Sequence, residues 1–168
     1  NDTFLTGRNY TNLLLQMAAI ATIAIGIVFV LLIAEIDLSV AFVSAVGAVS
    51  MTLLLRPDNP GWPWWLAIGF ALLVTTAIGF LHGIVITKAG VPSFVVTLAG
   101  LLIWSGVVLI LTTKYSTAGI IRIQDDTVVG IANDFLSDLW GWVIWAVVVA
   151  GYALVQVRTA LSRRAHGF

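Results

Sequence analysis

Few side chains in this sequence can do chemistry, and most of them fall in one short stretch and a handful of later positions. Glu35 and Asp37 stand between two apolar runs, 12–33 and 38–55, with Ser39 at the start of the second, while His82, Ser93, Thr97 and Trp104 interrupt later runs that are otherwise mostly aliphatic. Carboxylates so placed can bind a proton or cation, cap a helix, or pass movement between helices. An acid at the centre of a membrane helix costs about 2.5–3.5 kcal/mol on insertion scales. Two such acids therefore belong at the water interface, in a wet cavity, or at the start of a helix. Asp37 and Ser39 suit the N-terminal cap of the following helix, where a side-chain oxygen accepts an orphan backbone N–H and the dipole favours negative charge. That alone makes the stretch a capped interfacial turn; in a transporter it is also a coupling or pathway element.

Other chemistries are poorly served. The chain has no cysteine, hence no disulfide, thiol nucleophile or cysteine metal site. No Gly-x-Ser-Gly stands ready for an intramembrane serine protease, and the two histidines are not at metal-ligand spacing. A Gly-x-x-x-x-Gly-Lys-Ser/Thr phosphate loop is also missing, so any ATP is hydrolysed elsewhere and the chain itself carries no cofactor. A formal net charge of zero gives no basic field for nucleic acid. His82, about one turn from Lys88, reads as a hydrogen-bonded interfacial residue rather than a proton carrier. Trp104 lies mid-span, away from either interfacial belt; it packs into the helix bundle or faces a permeation path.

The elements that position these residues follow from composition. Hydrophobic residues make up 60% of the chain and charged ones 10%, with mean hydropathy +1.06. A soluble domain carries about 25% charged residues, so this is an all-α integral membrane protein. One transmembrane domain is expected over 1–168, with about five spans near 12–33, 38–55, 64–87, 94–113 and 139–157. In the third, Ala67, Ala71, Thr75, Gly79, Gly83 and Thr87 form a stripe at a spacing of four. Burying leucine gives helices no drive to associate in lipid, so small residues that permit close contact mark a packed face. Ala18, Thr22 and Gly26 do the same on the first span. Pro57, Asp58, Asn59, Pro60 and Gly61 make a tight loop, and Trp62, Trp64 and Trp65 an interfacial anchor. Pro92 suits the first turn of the fourth helix, with Ser93 as a cap. Val128, Ile131, Ala132, Phe135, Leu136 and Leu139 alternate in steps of three and four, predicting a short amphipathic helix outside the membrane, capped by Asp126 or Thr127. Arg158, Arg163 and Arg164 hold the last residues in the cytoplasm. Counting back puts Lys88 and the acidic break inside and the 56–63 and 114–138 loops outside.

Three segments, in order, resemble the ribose/xylose-type permeases of ABC sugar importers. They are Phe4-Leu5-Thr6-Gly7-Arg8-Asn9 with Asn12-Leu13-Leu14; Glu35-Ile36-Asp37-Leu38-Ser39-Val40; and Ala89-Gly90-Val91-Pro92-Ser93-Phe94-Val95-Val96-Thr97-Leu98-Ala99-Gly100. Ala41-Phe42 stands where that family often has glycine. The resemblance implies the N-terminal half of a longer permease in the bacterial inner membrane. It also implies a second permease subunit, two ABC ATPase domains on the cytoplasmic side, and an extracytoplasmic sugar-binding protein. Within it, Glu35, Asp37, Ser39 and Pro92 belong to coupling motifs. Gln16, Ser93, Thr97 and Trp104 are candidates for the sugar path. The alternatives are an ion-coupled secondary carrier, which would want acids mid-span, and a non-transporting membrane subunit.

Overall fold

The computed structural model describes residues 6–56, 61–116, 120–134 and 136–165, and among the described residues every regular element is a helix. The order is α1 (Gly7–Leu32), α2 (Val40–Leu54), α3 (Trp64–Ala89), α4 (Ser93–Tyr115), α5 (Asp126–Asn133) and α6 (Asp138–Ala165). By length and composition α1, α3, α4 and α6 are long and apolar enough to cross a membrane. The second predicted span is shorter than expected: α2 has 15 residues. At 1.5 Å per residue that is about 22 Å, against about 30 Å of hydrocarbon. The span loses residues 38, 39 and 55; the first two belong to a non-helical joint over 33–39. By contacts the chain falls into two compact units, Asn1–Asp125 and Asp126–Phe168.

The end of α1 shows how the joint is made. Ala34 N–H donates to Leu31 O at 2.9 Å and Glu35 N–H to Val30 O at 3.2 Å. This is a Schellman closure, and it requires the residue after the C-cap to adopt the left-handed region. Ala34 does so, with φ 59°, where glycine is the usual occupant. The Cβ there costs about 1–2 kcal/mol, partly offset by glycine's greater freedom when unfolded. Ala34→Gly is therefore expected to stabilise the chain by about 0.5–1 kcal/mol, read as a rise in unfolding midpoint in mixed micelles. A drop in that midpoint would count against the closure.

Helices α2, α3 and α4 form the packed core of the first unit. Ser39, at the start of α2, meets His82 of α3 and approaches Gly100 of α4, while Gly47 lies against Thr75. At the other end of α2, Arg56 donates to Tyr115 O at 3.3 Å and lies 5.5 Å from the Tyr115 ring centroid. So α2 runs parallel to α4 and antiparallel to α3. Ala67, Ala71 and Ile78 of α3 are buried, as are Val46, Gly47 and Thr52 of α2.

The small-residue stripe is only half used within this chain. Ala67 and Ala71 are buried and Thr75 is half-buried, but Gly79 and Thr87 are exposed, and a Cβ added at Gly79 or Gly83 meets nothing within 4 Å. A step of four residues advances about 40° beyond a full turn. The packed face therefore slips to Ile78 and His82, and the two glycines with Thr87 line a cavity instead. The Ala18–Thr22–Gly26 face of α1 is likewise exposed, with no Cβ contact at Gly26.

In the second unit the amphipathic pattern is cut in two. Asp134 N–H closes α5 onto Gly130 O, and Ser137 O accepts Gly141 N–H to open α6. Leu139 thus belongs to α6, Asp126 begins α5, and Phe135 lies outside the described residues. Trp142 and Trp145 stack edge to face, 5.8 Å between centroids. The predicted Pro57–Pro60 loop also lies outside the described residues.

Candidate functional site: a polar joint between the helices

The joint at 33–39 is bound to α4 through the backbone of one residue, Ile36. Ile36 N–H donates to Ser93 Oγ at 3.3 Å, and Ile36 O accepts from Thr97 Oγ1 at 3.2 Å. Ser93 and Thr97 are buried, and Thr97 Oγ1 also lies 2.8 Å from Ser93 O, so its one proton is shared between two carbonyls. Pro92 is the N-cap of α4, and its carbonyl accepts from Val95 and Val96. Ser93 is therefore the first residue of α4, and its hydroxyl serves the joint, not its own helix.

Asp37 and Ser39 cap α2 differently from the expected pattern. Ser39 is the N-cap, but its hydroxyl accepts no N–H from the helix. It donates to Asp37 Oδ1 at 2.7 Å, and Ser39 N–H donates to the same oxygen at 2.8 Å. One carboxylate oxygen thus closes a tight turn onto a fully buried serine (0% exposed). Charge-assisted bonds of this kind are about twice as strong as neutral ones.

From Ser39 the polar contacts continue into the helices. Ser39 Oγ lies 3.4 Å from His82 Nδ1, a long contact, and Trp104 Nε1–H donates to His82 Nε2 at 3.2 Å. His82 is half-buried, with ring centroids 6.3 Å from Trp104. Gly100 makes the approach feasible: a Cβ there would sit 2.6 Å from His82 Cε1 and 3.3 Å from Ser39 Cβ. Beside this chain lies a cavity of about 250 Å³ whose walls include Glu35, Asp37, His82, Thr87, Ser93 and Thr97. Among the described residues no buried side-chain polar atom lacks a partner.

Of the residues expected to matter, the structure brings Glu35, Asp37, Ser39, Pro92, Ser93, Thr97 and Trp104 to this joint. Gln16 is exposed on α1 and is not among them. Trp104 packs inward, as one of its two readings has it. His82 is hydrogen-bonded, as expected, and links three elements: the start of α2, α3 and α4. Gly100 was quoted only as the end of a motif; its separation of seven from Ser93 on one helix face was the available signal.

Four apolar helices of spanning length, with a short fifth buried around a polar joint, define a multi-pass membrane protein. The chain belongs to the permease family described as "Branched-chain amino acid transport system / permease component", whose model matches residues 9–164. It is 33% identical over 156 residues to the xylose transport system permease protein of Haemophilus influenzae, covering 90% of this chain and 39% of that protein. It is 32% identical over 164 residues to the xylose transport system permease protein of Escherichia coli, covering 98% and 40%. The ribose import permease protein of Haemophilus influenzae is 34% identical over 113 residues, covering 67% and 34%. The chain thus spans about 40% of the length of the xylose permeases it matches. No solved structure matches it.

Proposed function

We propose that this chain is the N-terminal part of the membrane-spanning subunit of an ATP-driven ABC importer for a monosaccharide of the xylose or ribose kind. The observation that carries the reading is the similarity to xylose permeases along 90% and 98% of the chain. The buried joint supports it, because two of the resembling segments, 35–40 and 89–100, meet there in space.

In this reading the permease pairs with a second copy in the bacterial inner membrane. Two ATPase domains on the cytoplasmic side close on ATP, and an external binding protein delivers the sugar. Closure rocks the helices and opens the path to one side at a time. The joint transmits that motion between the end of α1, α2 and the start of α4. Ser93 and Thr97 are already hydrogen-bonded to the joint and Trp104 to His82, so their contribution to the path is through its shape; Gln16 keeps an exposed face.

The test is the full-length permease reconstituted in liposomes with its ATPase and binding protein. Sugar-loaded binding protein is expected to stimulate ATP hydrolysis and sugar uptake together. Sugar movement at the same rate without the ATPase would replace this reading with a secondary carrier. Sidedness has its own prediction. The sequence has no cysteine, so Lys88→Cys gives a single thiol. It is expected to react with impermeant reagent only in inside-out vesicles. Labelling from the periplasmic face would invert the topology.

A further inference from the structure

The polar chain has a direction, and the direction fixes the state of His82. Tryptophan's indole nitrogen is a donor only. With Trp104 Nε1–H aimed at His82 Nε2 at 3.2 Å, that nitrogen carries the lone pair. The neutral ring then holds its proton on Nδ1, facing Ser39 Oγ at 3.4 Å. Ser39 has already given its own proton to Asp37 Oδ1 at 2.7 Å, so its oxygen is available to accept. Every donor finds an acceptor in the order Trp104, His82, Ser39, Asp37.

We propose that His82 is a protonation-sensitive latch: the neutral Nδ1–H imidazole links Trp104 of α4 to the Ser39 turn, and protonation at Nε2 breaks that link while the Ser93 and Thr97 bonds to Ile36 remain. Imidazolium has a donor on both nitrogens. The proton, taken from water, lands where the Trp104 N–H points, and two donors then face each other. The Trp104 bond is lost while the ring gains attraction to the carboxylates. The groups that face it are few. Asp37, through Ser39, and Glu35 come from the joint, both on the wall of the shared cavity. Lys88 is on its own helix. Helix α2 has no titratable side chain, residues 93–113 of α4 have none, and residues 11–32 of α1 have none. The balance of charge at the joint is therefore acidic, and the charged ring is drawn toward the joint and away from α4. Gly100 leaves no Cβ in the way of the ring where it now sits.

The experiment uses the whole chain in micelles, labelled with ¹⁵N-histidine and ¹⁵N-tryptophan, with His166→Gln to leave one histidine. In the neutral ring, Nε2 is expected to give the unprotonated nitrogen signal and Nδ1 the protonated one. On acidification to the point where both ring nitrogens report as protonated, the Trp104 indole N–H, assigned with Trp104→Phe, is expected to move off its hydrogen-bonded position. The opposite tautomer, or a Trp104 signal that stays put while His82 titrates, overturns the latch. A second readout follows access to the cavity. Gly83→Cys adds a thiol where a Cβ has room. Its labelling rate, acid over neutral, is expected to be about fivefold higher with His82 than with His82→Gln, the factor for losing one hydrogen bond. Glutamine keeps a donor and an acceptor but does not titrate, and thiol ionisation cancels in the comparison. Equal ratios in the two backgrounds would also refute the proposal.

Discussion

Gly100→Ala is expected to lower unfolding free energy by about 2 kcal/mol, although alanine is the better helix former. The added methyl would lie 2.6 Å from His82 Cε1, 2.8 Å from Nε2 and 3.3 Å from Ser39 Cβ. An imidazole at a free end could swing away at little cost. This one is held by Trp104 on one nitrogen and faces Ser39 with the other. Moving it gives up a bond worth about 1 kcal/mol and adds overpacking of about 1–3 kcal/mol. Against that stands a helix-propensity gain of about 0.8–1 kcal/mol. Gly79→Ala is the control, since its Cβ meets nothing within 4 Å; there the gain stands alone and the chain becomes slightly more stable. The sharper measurement is a double-mutant cycle. In a His82→Ala background the clash has no partner, so Gly100→Ala should cost less than about 0.5 kcal/mol. Equal costs in both backgrounds would mean that Gly100 and His82 do not meet.

What the sequence reveals of this site follows from the range of the interactions. The joint at 33–39 was legible because charge inside an apolar run is locally expensive, and α1 and α2 do separate there. The long helices were legible because apolar length alone decides them. The cavity was not, because a stripe at a spacing of four drifts around the helix. Gly79 and Gly83 look continuous with Ala67 and Ala71 on paper and face different surroundings in the fold. The role of His82 was hidden for another reason. Its partners are 43 residues back at Ser39 and 22 residues on at Trp104. No local pattern joins those positions. Ser93 was misread for the same cause: a serine after Pro92 reads as a cap, yet its hydroxyl serves a peptide 57 residues away.

Ser93→Ala with Thr97→Val should be the most damaging pair in the chain, costing about 3 kcal/mol together. Both hydroxyls hold the backbone of the same residue, Ile36, one at its N–H and the other at its carbonyl. Ser93→Ala removes the acceptor and leaves a part-buried N–H unpaired, at about 1–3 kcal/mol. Thr97→Val keeps the volume and loses only the donor. Its effect alone should be smaller, because Ser93 O is already bonded within α4 and Ile36 O keeps its remaining exposure. The two losses should not add. Once one end of the peptide is free the segment moves, and the second bond is weakened before it is deleted. The double variant should therefore cost less than the sum of the singles, by about 0.5–1 kcal/mol. Strict additivity would mean that the two hydroxyls act on separate elements and that the joint is not one unit. If the chain is part of an ATP-driven importer as proposed, the same pair in the reconstituted full-length transporter should uncouple ATP hydrolysis from sugar uptake more than it slows hydrolysis. The substitutions leave the apolar faces of α4 intact and remove only the tie through which its start follows the end of α1.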